Sequence, residues 1–203
     1  MTWADLGEFI KAVAPAFTAG AACFAAWIAY KGLTRWQTEV LGRRRMELAE
    51  DVLSNLYEAK RLITVIRFPF ATEGESAAGV APPGETDEQK RLRDSYFAPL
   101  GRYEHHMKFF SDLRAKRYRM MALFGPKVAE PFDEIEQTLS KIIAAARMLL
   151  RTAGDEIRDV EFHRKLEATI WQAEENDEHA TKVDKAVTDI EAICRPVLEK
   201  RAA

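Results

Sequence analysis

Residues 158–163 read Arg-Asp-Val-Glu-Phe-His, an arginine and a histidine five positions apart with polar residues between them. A histidine can shuttle a proton near neutral pH, and an arginine beside it can stabilise the charge of a phosphorane. Reaction at a phosphodiester is the chemistry that such a pair serves. The other reactive groups are less well arranged. The chain has four histidines and 32 acids, enough in number for a ferritin-type di-metal site, which needs Glu-x-x-His on two helices. The residues three before His105, His106, His163 and His179 are Arg102, Tyr103, Val160 and Asn176, so that pattern is missing. There is no His-x-x-x-His pair and no cysteine set for zinc. Cys23 and Cys194 stand at opposite ends of the chain without partner spacing, and Cys194 reads as a small core residue in a reducing compartment. No glycine-rich phosphate loop occurs. No cofactor and no metal site are expected.

The Arg158–His163 spacing, with a polar residue after the arginine, resembles the motif of HEPN-type ribonucleases. Those are small helical bundles, and the resemblance implies that Arg158 and His163 from two subunits would act together on RNA. It covers six residues. The plainer reading is a solvated turn of helix with His163 on a bundle face. On it no catalytic residue is assigned, and the HEPN-like ribonuclease stands as the alternative function.

Two charged patches remain. Arg114, Lys116, Arg117 and Arg119 surround Tyr118, a composition able to meet phosphates and bases. They also suit the later part of a helix, where cations complement the dipole and cover a solvated face. The acids Glu161, Glu174, Glu175, Asp177 and Glu178 are of opposite sign and are expected to pair with that basic face or with water. Nucleic acid is not expected as a partner. The Arg43-Arg44-Arg45 cluster is different because of what precedes it.

Residues 12–30, AVAPAFTAGAACFAAWIAY, hold no charge. A helix of roughly 20 apolar residues crosses a hydrocarbon core of about 30 Å, so the length predicts a single uncleaved transmembrane helix. The composition is weaker: nine of the nineteen residues are Ala. The strong inserters Val13, Phe17, Phe24 and Ile28 contribute roughly −2 kcal/mol together. Trp27, Tyr30 and Trp36 gather at the far end as interfacial aromatics do, and Phe17, Phe24, Trp27, Ile28 and Tyr30 are the expected membrane anchor. Lys31, Arg35, Arg43, Arg44 and Arg45 follow against Glu39 alone. By the positive-inside rule these five set the topology, with residues 1–11 outside and the remainder cytoplasmic. Asp5 and Glu8 argue against an export signal, which needs a basic start. A soluble protein with a buried Ala-rich first helix is the further alternative.

Beyond the span the chain reads as all-α, an up-down antiparallel bundle of about four long helices. A membrane-proximal amphipathic helix over 31–68 carries the seam Val52, Leu56, Ala59, Ile63 and Ile66, widened by Leu48, Leu53 and Leu62. It stops at Phe68-Pro69. Residues 69–86, with three prolines and three glycines, read as a flexible loop. Thr86-Asp87-Glu88-Gln89 has the form of a capping box and opens the second helix, with Tyr96, Tyr103, Met107, Phe110 and Met121 near one face. Gly125-Pro126 ends it and starts a third, whose Phe132, Ile135, Leu139, Ile142, Ala146 and Leu149 keep a strict 3-4 step. The last region, after a break near 152–155, is one long helix or two joined near 174–177; Ile157, Val160, Leu166 and Ile170 are its first apolar set, Val183, Val187, Ile190, Cys194 and Val197 its second. Residues 87–203 thus complete the cytoplasmic domain.

The heptad-like register makes a coiled-coil homo-oligomer plausible. The net charge of −2 points to no particular class of partner. The Arg and Ala usage suits a GC-rich bacterium. The expectation is an interaction or assembly module on the bacterial inner membrane, with the lipid bilayer and either a second copy or another membrane or cytoplasmic protein as partners.

Overall fold

A computed structural model of the chain describes residues 3–70, 75, 84–153, 159–172 and 177–199, with the backbone alone for residues 3–19. The described residues are all helical or in connections, with no strand among them. The helices are α1 (Trp3–Ile66), α2 (Asp87–Phe124), α3 (Ala129–Thr152), α4 (Val160–Ile170) and α5 (Glu178–Glu199). The chain divides into two units, Met1–Arg45 and Met46–Ala203. The first consists of the early part of α1; the second holds the rest of α1 and the other helices.

In the larger unit the apolar periodicity becomes the core. Val52, Leu56, Ala59, Ile63 and Ile66 of α1 are buried, as are Leu48, Leu53 and Leu62 beside them. α1 ends as the chain approaches Pro69, whose ring disfavours helix in the preceding residue. α2 opens on the expected capping box: the Gln89 amide donates to Oγ1 of Thr86 at 3.2 Å, and the Thr86 amide donates to Oε1 of Gln89 at 3.0 Å. It closes on Gly125 at φ +95°, a conformation open to glycine and costly for other residues. Pro126–Val128 then form one 3-10 turn before α3, so the proline opens that turn rather than the long helix itself.

α3 buries all six residues of its 3-4 register and packs against α2, α4 and α5. Three helix neighbours explain its wide apolar face, since Thr138, Ile143 and Ala145 are buried as well. Burying a side chain such as Leu or Ile contributes about 1.5–3 kcal/mol, and such burials concentrate along this helix. The last region is two helices, and Ile170, Val183, Val187, Ile190 and Cys194 are in the core.

Several expectations are corrected. Met107 lies on the outside of α2, where Leu100, Leu113 and Met120 supply the core contacts instead. Val160 is 70% exposed because it opens α4, one residue after its cap Asp159, before that helix meets the core. Among the described residues no helix is long and apolar enough to cross a membrane. The expected span over 12–30 is therefore without support there. Its weakness is physical: alanine is near neutral for insertion, and Lys31 and Arg35 follow at once. The stretch is helical and runs into the 31–66 segment without a break. Most of the loop over 69–86, together with Ile157, Glu174 and Glu175, lies outside the described residues.

Candidate functional site

In the smaller unit, Phe24, Trp27, Ile28, Tyr30, Leu33, Trp36 and Leu41 are all exposed. At about 100° per residue, the first six fall near 0°, 300°, 40°, 240°, 180° and 120° around the helix axis, leaving no apolar-free sector wider than roughly 80°. Lys31 and Arg35 are exposed on the same turns, so large apolar and basic side chains share this stretch of the helix surface. Of the expected anchor residues, Phe24, Trp27, Ile28 and Tyr30 are exposed, while the side chain of Phe17 lies outside the described residues. Leu33 and Leu41 were not singled out from sequence; their cue is the return of apolar residues after Lys31.

Two threonine hydroxyls among these side chains bond to the helix backbone. Thr34 donates its hydroxyl to the carbonyls of Tyr30 and Lys31, at 3.1 and 3.0 Å. Thr38 donates to the Thr34 carbonyl at 2.9 Å. Such back-bonding removes the cost of taking a bare hydroxyl out of water. The Lys31 ammonium lies 4.1 Å from the centre of the Trp27 ring, a cation–π contact that folds its charge along the helix. Arg35, Arg43, Arg44 and Arg45 are exposed. Glu39 meets Arg43 at 3.6 Å with both side chains largely in solvent, too weak a pair to cancel the positive segment.

Of the candidate nuclease pair, His163 alone is among the described residues. Arg158 lies outside the described residues. His163 is packed between helices, its Nε2 3.0 Å from the hydroxyl of Tyr96. That hydroxyl donates to Oε1 of Glu167 at 2.7 Å. A phenol has one proton, so with it directed at Glu167 the bond to His163 requires a hydrogen on Nε2. Burial, followed by the Glu167 hydrogen bond, pushes the Tyr96 phenol well above its ordinary range, so it stays protonated and serves as a strut between α2 and α4. Trp171 stacks on Tyr96 with ring centres 5.7 Å apart.

The basic patch on α2 is largely spent on other helices. Arg114 reaches Glu136 at 2.8 Å, Lys116 reaches Asp51 at 2.6 Å, and Arg117 Nη2 donates to Asp133 Oδ2 at 2.9 Å. Of the acids proposed from sequence, the described ones pair elsewhere: Glu161 with Lys165, Glu178 with Lys182 and Asp177 with Arg67. Sequence reasoning also missed two buried arginines, 67 and 102. Arg102 donates to the carbonyls of Val65, Phe68 and Phe70 and to both carboxylate oxygens of Glu75. It thereby fixes the turn at which α1 ends. Nothing local marks such a residue, because its acceptors are distant carbonyls.

A cleft of about 260 Å³ beside Arg67 is lined by Lys60, Thr64, Gln172 and Asp184. Its exposed charges are already joined, Lys60 to Asp184 at 2.8 Å. Among the described residues no group of three or more His, Cys, Asp or Glu side chains is placed to hold a metal. No known family, curated protein or solved structure matches the chain.

Proposed function

We propose that this is a membrane-anchored helical bundle acting as an interaction or assembly module, with its bundle on the cytoplasmic face of a bacterial inner membrane. The observation that carries the reading is the set of large apolar side chains of α1 between Phe24 and Trp36, all exposed and spread around the helix. Exposed apolar patches of this kind mark contact with lipid or protein. The charge pattern beyond it supplies the orientation, five basic residues against one acid over 31–45. The alanines give a second property. Small side chains let helices approach closely in lipid, so a weak inserter gains from self-association.

Carbonate washing of membranes from cells making the full chain is the test. Retention in the pellet is expected, and release of intact chain into the supernatant contradicts the anchor. Release is what a helix enclosed by a partner protein predicts.

A further inference from the structure

We infer that Arg43, Arg44 and Arg45 form a collar that binds the anionic headgroups of the bilayer in which α1 is anchored; this rests on the anchoring reading above. Trp36 is the last exposed aromatic residue of the apolar segment. Indole rings settle at the headgroup level. Arg43 follows Trp36 by seven residues, about 10 Å along a helix axis. Each headgroup layer is roughly 5–7 Å thick, taking the difference between the full bilayer and its hydrocarbon core. The remaining few ångströms are within the reach of an extended arginine side chain and within a Debye length of about 10 Å at ordinary salt.

The three guanidinium groups follow one another in sequence, so successive side chains leave the helix about 100° apart. That places charge on three sides of the axis, suited to a helix entering a charged plane and not to one groove on a protein. All three side chains are exposed. The arginine fork binds phosphate oxygens in a bidentate manner, which a phosphodiester headgroup provides. Lys31 and Arg35 precede Trp36 in the sequence, on the side of the apolar segment, and Lys31 lies over the Trp27 ring, so neither is counted in the collar.

Full-length chain diluted from detergent is offered vesicles of pure phosphatidylcholine and vesicles containing phosphatidylglycerol, and partitioning is read by flotation. Binding to the neutral vesicles reports the apolar anchor; the gain on anionic vesicles reports the collar. Near an anionic surface each basic residue contributes enough for three to give a gain of about tenfold or more. Arg43→Gln, Arg44→Gln and Arg45→Gln combined keeps neutral-lipid binding and loses that gain, and high salt abolishes it in the unmodified chain. A triple variant that keeps the gain, or a wild-type chain without one, overturns the collar. Failure to bind neutral vesicles while the anionic gain persists overturns the anchor instead. Displacement of the anionic gain by single-stranded RNA points to a nucleic-acid site and also overturns the collar.

Discussion

Arg67 donates through Nη1 to Oδ1 of Asp177 at 2.8 Å, across 110 positions of sequence. The same guanidinium donates to the carbonyls of Ala168, Thr169 and Trp171, and the Arg67 carbonyl accepts from the Gln172 amide at 2.9 Å. Asp177 in turn accepts from the Ala180 amide at 2.7 Å, capping the first turn of α5. One fully buried cation thus binds the end of α1, the end of α4 and the start of α5. Burying a guanidinium is costly, and it is stable here because each acceptor around it is in place.

Replacing this arginine takes the guanidinium donor from three carbonyls and leaves the Asp177 carboxylate with the Ala180 amide. Arg67→Ala is expected to lower unfolding stability by about 2–4 kcal/mol, the lower end reflecting the partial exposure of Asp177. Arg67→Lys recovers little, since an ammonium cannot reproduce the planar fork. Urea unfolding of both variants checks this, and a loss under about 1 kcal/mol from Arg67→Ala contradicts it.

The neighbourhood of Arg67 also sets a pH dependence. Burial lowers the pKa of His179, and the Arg67 charge lowers it further. Burial pushes the Asp177 carboxyl up, yet the hydrogen bonds from Arg67 and the Ala180 amide hold it below the usual carboxylate range. Both groups therefore bind protons more readily in the unfolded chain. The contribution of His179 is present above about pH 6.5 and declines as pH falls below it, while that of Asp177 is present above about pH 4 and is lost at lower pH. Tm should fall on acidification from about neutral pH to about pH 5.5, and His179→Gln should flatten that part of the curve. Parallel curves for the two proteins rule this out.

The Tyr96 hydroxyl is predicted to be a strut with no role in chemistry. Tyr96→Phe removes two hydrogen bonds without opening a cavity and should cost about 1–2 kcal/mol. The Trp171 fluorescence should change little, because the stacked ring remains. His163→Ala should leave RNA degradation at background. Nuclease activity of the purified chain that disappears in His163→Ala would restore the ribonuclease.

The two thiols should differ in how they are protected. Cys194 is buried, and burial pushes its thiol up to about 11, so it is both inaccessible and protonated at neutral pH. Cys23 is exposed on the early part of α1, with lipid as its proposed surroundings. A membrane-impermeant maleimide should label neither in intact membranes and both after unfolding in SDS. Prompt labelling of Cys23 in the membrane counts against the anchor.

On α3, Ile142→Ala removes a fully buried side chain and should cost about 2–5 kcal/mol. Met148→Ala, on the outer side of the same helix, should change stability by less than about 0.5 kcal/mol. Equal effects would mean that the register does not select the core.

The sequence by itself determined the central core face of α1 and α3, because a 3-4 repeat of apolar residues defines a single face whatever lies opposite; the burial of Thr138, Ile143 and Ala145 beside it depended on the neighbouring helices. It determined the start of α2 and its end, since the Thr86 capping box and Gly125 act within a few residues of backbone. It also marked the aromatic and basic residues flanking Tyr30, whose meaning is compositional. Tertiary structure alone decided what Arg67, Arg102 and Tyr96 do. Their partners lie tens of residues or more away, and a buried arginine is indistinguishable from a solvated one until its acceptors assemble. It also decided that the α2 cations pair with Asp51, Asp133 and Glu136, and that His163 is tied to Tyr96, because charge pairing depends on which faces meet and not on which acids are nearby in sequence.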